Sequence, residues 1–134
     1  GPMHHVLGRY SDWLYAIMRV MVGLLFLCHG AQKLFGVLGA QGPATDHLHI
    51  AAGIVEFVCG GLVALGLGAG YAAFIASGEM CVAYFKVHAP GGFWPIMNRG
   101  ELAVLYCFVF LYMSSKGSGP LSLDRLLWRN KRPA

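Results

Sequence analysis

The sequence predicts an all-α integral membrane protein, a four-helix transmembrane bundle followed by a short C-terminal interfacial helix. Three observations carry that expectation. The 134 residues are 57% hydrophobic and 12% charged, with a mean hydropathy of +0.58, where an ordinary soluble domain carries roughly 25% charged residues. The apolar residues gather in runs long enough to be measured against the ~20 residues that cross a hydrocarbon layer. The polar residues are squeezed into short connectors, the most specific of which is "HAPGGFWPIMNRGE", residues 88–101.

Taken in chain order, Gly1-Pro2 ahead of Met3 reads as a protease-cleavage scar outside the fold, with native sequence expected from Met3. The first apolar run, 14–36, is one span. The next, 48–87, is too long for a single crossing, and "GLGAG" at Gly66–Gly70 supplies the break, because glycine weakens a helix and permits tight-turn dihedrals. Two spans result, about 48–66 and 70–88. The fourth, 101–115, is short and must thin the bilayer, borrow length from its flanks or stand upright. Residues 3–120 then form the transmembrane domain and 121–134 a basic amphipathic tail. In that tail Ser122 caps a helix with Leu123, Leu126 and Leu127 on one side, Asp124, Arg125 and Arg129 on the other, and Trp128 at headgroup depth.

Basic residues orient the bundle. Arg9 precedes the first span and Arg125, Arg129, Lys131 and Arg132 follow the last, whereas residues 37–47 hold no Lys or Arg. Both termini are therefore expected in the cytoplasm, with 88–101 outside, although Lys86 and Arg99 count against this. The membrane is the expected setting, with lipid contacts, a homo-oligomer compatible with the surface, and no nucleic-acid partner. Cys28, Cys59, Cys81 and Cys107 lie in the spans without CxxC spacing, and read as small apolar residues rather than metal or redox thiols. No zinc, nucleotide or hydrolase motif is present.

Charge inside the membrane is the informative feature. Arg19, His29 and Lys33 fall in the first span, Glu56 in the second, Glu79 and Lys86 in the third, and Glu101 opens the fourth. Each ionisable group costs at least about 2.5 kcal/mol near the bilayer centre, so each should face protein or water and find a partner. At 100° per residue Arg19, Phe26, Gly30 and Lys33 share one arc with His29 at its edge, and Glu79, Ala83 and Lys86 share another. Gly53 and Gly60 flank Glu56 and let a neighbouring helix approach. Arg19 is expected to pair with Glu56 or Glu79. His29, Lys33, Glu56, His88 and Glu101 are expected to line one outward-open polar cavity, with Asn98 at its rim and Trp94 lowered over it as a lid by "GGFWP".

The ordered segments "RVMVGLLFLCHGAQKLFG", "EFVCGGLVALGLG", "GEMCVAYFKVHAPGGFWPIMNRGELAVLYC" and "GSGPLSLD" together resemble the DoxX family of small bacterial and archaeal membrane proteins, from about Arg19 to Asp124. The matching positions are Arg19, His29, Gly30, Lys33, Glu56, His88, Gly92, Phe93, Gly100, Glu101, Gly119, Pro120 and Asp124. The resemblance implies four transmembrane helices in the cytoplasmic membrane. It also implies a link to membrane oxidoreductase systems, including the membrane subunit of thiosulfate:quinone oxidoreductase and thiol-redox complexes.

Two functions follow as expectations. In the first, the chain is a redox-system subunit that binds a quinone or small sulfur substrate in the outer cavity. There His29, His88, Glu56 and Glu101 handle protons as candidate catalytic groups, and Arg19, Lys33, Glu79, Trp94 and Asn98 hold the substrate. Haem with His29 and His88 as axial ligands ranks below quinone. In the second, the chain is a noncatalytic scaffold or assembly factor that docks a redox protein partner.

Overall fold

The computed structural model describes residues 2–128. Gly1 of the expected scar, and Arg129, Lys131 and Arg132 of the expected basic tail, lie outside the described residues. The chain is all-helical, with no strand among the described residues.

A short helix α1 (Pro2–Leu7) leads through a 3-10 turn at Gly8–Tyr10 into α2 (Ser11–Phe35). Helix α2 ends at Gly36, whose left-handed φ of 65° brings its N–H onto the Gln32 carbonyl. Helix α3 (His47–Leu65) begins at Asp46, whose side chain accepts from the His49 N–H at 3.1 Å and faces His49 Nδ1 at 2.7 Å. Those hydrogen bonds from His49 hold the exposed Asp46 carboxyl below its ordinary range. Helix α4 (Ala69–Ala83) continues into a π-helical turn at Tyr84–His88 and a 3-10 turn at Ala89–Gly91. The short α5 (Pro95–Asn98) precedes α6 (Glu101–Lys116), and α7 (Leu123–Trp128) closes the described chain. Ser122 Oγ accepts the Arg125 N–H at 3.2 Å, so the expected serine cap of the last helix is present.

Two helical stretches are long and apolar enough to cross a bilayer, Pro2–Phe35 and His47–Leu65. The 16 residues of α6 rise only about 24 Å, and α4 reaches 20 residues only with its π turn. The four long helices occupy the four apolar runs of the sequence.

Helices α2 and α3 pack backbone against backbone. Added Cβ atoms at Gly23 and Gly60 would stand 2.5 Å from the Ala64 and Leu27 amide nitrogens; two turns further along, one at Gly30 would meet the Phe57 amide and the Gly53 carbonyl, and one at Gly53 the side chains of Lys33 and Leu34. Glycines seven residues apart on each helix thus remove the side chains that would hold the two axes apart. Helix α4 packs on α6 and on α3, and the core between them is built of Ala69, Ala72, Ala73, Ala76, Met80 and Met113. Phe26 of α2 bridges to α6, its ring 4.7 Å from that of Phe110 and 5.2 Å from that of Tyr106. Outward-facing Leu24, Leu25, Ile54, Val58, Phe74, Ile75, Leu105 and Phe108 are exposed, which leaves a greasy belt around a small-residue core.

Candidate functional site

Helix α2 carries its charges at two depths, and they serve different places. Arg19 and Lys33 lie on one arc but are 14 residues apart, about 21 Å along the axis. Arg19, 1% exposed, does not pair with either glutamate. Its guanidinium donates from Nε to the Val63 carbonyl (3.0 Å), from one terminal nitrogen to those of Ser118 (2.6 Å) and Pro120 (2.9 Å), and from the other to that of Leu121 (2.8 Å). The expectation of an Arg19 ion pair with Glu56 or Glu79 is therefore corrected. The partner is the backbone of the "GSGPLSLD" segment, which reaches Arg19 because that segment folds under the α3–α4 turn. Asp124 Oδ2 accepts from the Gly68 N–H (2.8 Å) and from Ser118 Oγ (2.6 Å), while the Asp124 N–H donates to the Gly66 carbonyl (2.9 Å).

At the other end, Lys33 Nζ donates to Glu56 Oε1 at 2.6 Å. Glu56 is 1% exposed and Lys33 28%, so the ammonium connects a buried carboxylate to the outside. Glu79 on α4 points to the same place, and its Oε1 is the buried side-chain atom left without a hydrogen-bond partner among the described residues. Of the two carboxyl groups, Glu56 holds the lysine.

These groups border a cavity of about 500 Å³ between α2, α3, α4 and α6. Of the residues singled out from sequence, His29, Lys33, Glu56, Glu79 and His88 line it. Phe26, Val55, Met80, Leu102 and Tyr106 supply apolar wall, and the His29 ring meets the Tyr106 ring edge-on with centroids 6.0 Å apart. The volume and the mostly apolar wall with a few convergent polar groups match small-molecule sites. No group of three or more His, Cys, Asp or Glu side chains suited to a metal occurs among the described residues.

Four expected site residues lie outside this lining. Arg19 is at the opposite end. Glu101 is the exposed first residue of α6, where a carboxylate complements the helix dipole. Asn98 is buried but committed to its loop, with Nδ2 donating to the Tyr84 hydroxyl (3.1 Å) and the Gly92 carbonyl (2.9 Å) and Oδ1 accepting from Gly100 N–H (2.8 Å). That pinning turns Trp94 outward. It is 61% exposed, stacked edge-on with Phe93, and borders a separate shallow pocket with Tyr84, Phe85 and Pro95 rather than covering the cavity. Conversely His49, Lys86 and Arg99 line the cavity without having been singled out as site residues. Lys86 was legible, seven residues after Glu79 on the same helical face. His49 and Arg99 enter from a helix start and a loop, where no period locates them.

The sequence profile of DoxX matches residues 14–89, which carry α2, α3 and α4 and all the cavity residues of those helices. The chain belongs to the DoxX family. It is also 38% identical over 130 residues to an uncharacterized protein of Haemophilus influenzae, covering 92% of this chain and 97% of that one. An uncharacterized membrane protein of Mycobacterium tuberculosis is 34% identical over 132 residues, 82% of this chain and 78% of the relative. No solved structure matches the chain. The greasy belt, the two long apolar helices and these relatives make this DoxX chain a membrane protein.

Proposed function

We propose that this DoxX protein is a four-span subunit of a membrane redox system, and that its cavity binds the ring of a quinone or a small sulfur compound of similar size. The observation that carries the reading is the placement of Lys33, Glu56 and Glu79 on one apolar cavity of about 500 Å³. One ammonium balances one carboxylate. The second carboxyl is neutral only as the acid, so the site has a natural place for one exchangeable proton beside its ligand. A quinone supplies two-electron, two-proton chemistry when bound. The chain's part is to hold the ring between Phe26, Met80 and Tyr106, keep bulk water from it, and pass protons between Glu79, Glu56 and the partly exposed Lys33. Electrons reach the site from a redox partner protein. The cavity end of the bundle is assigned to the outer face of the cytoplasmic membrane and both termini to the cytoplasm.

The test is the lipid extract and absorption spectrum of the protein purified in mild detergent from quinone-containing membranes. A quinone near one per chain is expected, falling about tenfold or more in Glu79→Ala and Lys33→Met. A Soret band would replace the quinone with haem on His29 and His88. An empty extract together with a redox protein that co-purifies unchanged with the cavity variants would replace this reading with the scaffold.

A further inference from the structure

The Lys33, Glu56 and Glu79 group accounts for the cavity's floor but not for its rim. Lys86 and Arg99 both border the cavity and are both exposed at its edge. Among the described residues the ion pairs are Lys33–Glu56 and His49–Asp46, so neither rim cation has a carboxylate, and neither side chain donates a hydrogen bond. Glu101, two residues from Arg99, is not paired with it. His88 and His49 border the same rim, His88 with Nδ1 3.3 Å from the Asn98 carbonyl and His49 held by Asp46.

The backbone at Arg99 is left-handed, as it is at Leu38 and Leu121. Arg99 caps α5 with φ +64° and ψ 18°, in the left-handed region. The chain fills the corresponding left-handed caps of α2 and α3 with Gly36 and Gly66, the residue that adopts this geometry without strain. At α5 it places arginine there instead and puts Gly100 one position later.

Between the two cations the rim is apolar. Val82, Val87, Leu48 and Leu102 line the cavity and are also about half exposed on the outer surface of the helices, so the cleft is open toward the lipid side. Cations above an apolar, laterally open cleft fit an amphiphile with an anionic head.

We propose that Lys86 and Arg99 form an anion clamp at the cavity mouth that holds a phosphate-type group, with the apolar remainder of the same molecule lying against Val82, Val87 and Leu102. The clamp goes beyond the redox reading and stands without it. The phosphate can come from the headgroup of an acidic phospholipid or from free inorganic phosphate, and the experiment separates the two.

The full chain is placed in nanodiscs of phosphatidylcholine with and without phosphatidylglycerol, and separately in neutral detergent with added inorganic phosphate. Retained lipid is counted by mass spectrometry and thermal stability followed in parallel. Each basic side chain at a membrane surface contributes about fivefold to binding an acidic lipid, so the Lys86→Gln, Arg99→Gly pair should lose roughly twentyfold to thirtyfold in phosphatidylglycerol retention. Arg99→Gly relieves the left-handed strain and should leave melting unchanged or raised, which separates loss of the clamp from loss of the fold. Lys116→Gln with Arg125→Gln, at the other end of the molecule, should retain the lipid. Retention of phosphatidylglycerol that depends on Lys86 and Arg99 supports the clamp with a lipid source. Stabilisation by phosphate alone that depends on the same two residues supports it with a free-anion source. Equal retention by the rim variant and the wild type, or no response to either probe, overturns it.

Discussion

Arginine 19 shows how a buried charge in a lipid-facing chain is satisfied without a counter-ion. A guanidinium offers five N–H donors in a planar fork, and here three of its hydrogen bonds go to the carbonyls of Ser118, Pro120 and Leu121, in a loop where no helix or strand would otherwise satisfy them. The arginine and the loop therefore need each other. Replacing Arg19 by Leu leaves those three carbonyls without their donor, at about 1–3 kcal/mol for the buried one at Ser118 and less for the part-buried ones. The expected outcome is a sharp fall in melting temperature and new proteolytic cleavage between residues 117 and 123. Arg19→Lys should recover only part of the loss, since one ammonium cannot reproduce the fork. If Glu56→Gln or Glu79→Gln proved strongly non-additive with Arg19→Leu, the backbone partners would not be the ones that matter. That an intramembrane arginine needed a partner was legible in the sequence. Its identity was not, because the partner is backbone some hundred residues away, and a carbonyl leaves no mark in a list of charged side chains.

At the scale of elements, the helices follow from the apolar runs, and "GLGAG" divides the long one where the chain turns, at Gly66–Gly68. What hydropathy does not show is how tightly two helices approach. Gly23 and Gly30 against Gly53 and Gly60 bring α2 and α3 into backbone contact, and this joint holds Lys33 over Glu56. Ala at Gly30 would push into the Phe57 amide and the Gly53 carbonyl, backbone atoms that cannot swing aside. Gly30→Ala should cost about 1–3 kcal/mol as overpacking and weaken the Lys33–Glu56 bond by parting the helices. Gly78 on α4 has nothing within 4 Å of its added Cβ, so Gly78→Ala should be neutral or stabilise by about 0.5–1 kcal/mol through helix propensity. Thermal melts of the two variants side by side make the comparison, and equal losses would argue against backbone contact at Gly30. The π turn at Tyr84–His88 was illegible for another reason. Its residues continue the apolar pattern of α4, and the partners that Tyr84 and His88 find there lie in the Asn98 loop, ten or more residues on.

The whole molecule has two unlike ends. One end joins the start of α2, the α3–α4 turn, the 117–124 segment and α7 through Tyr15, whose hydroxyl donates to the Gly117 carbonyl at 2.7 Å, and through Arg19 and Asp124. That end is cross-braced. The other end gathers Lys33, His49, Glu56, Glu79, Lys86, His88 and Arg99 around one open cavity. The basic residues near the latched end are Arg9, Lys116 and Arg125, followed in sequence by Arg129, Lys131 and Arg132, so by the positive-inside rule the latch is expected in the cytoplasm. The two rim cations, Lys86 and Arg99, oppose that assignment but are outnumbered. Single cysteines in a background lacking Cys28, Cys59, Cys81 and Cys107 decide the matter. Met97, 74% exposed on the 88–101 connector, and Leu126, 65% exposed on α7, are accessible positions at the two ends. A membrane-impermeant thiol reagent added to intact cells should label Met97→Cys and leave Leu126→Cys unlabelled until the membrane is broken. The reverse pattern would turn the cavity toward the cytoplasm. Labelling of both in intact cells would mean that the four long helices do not all cross the membrane, and that the short α6 is the first to re-examine.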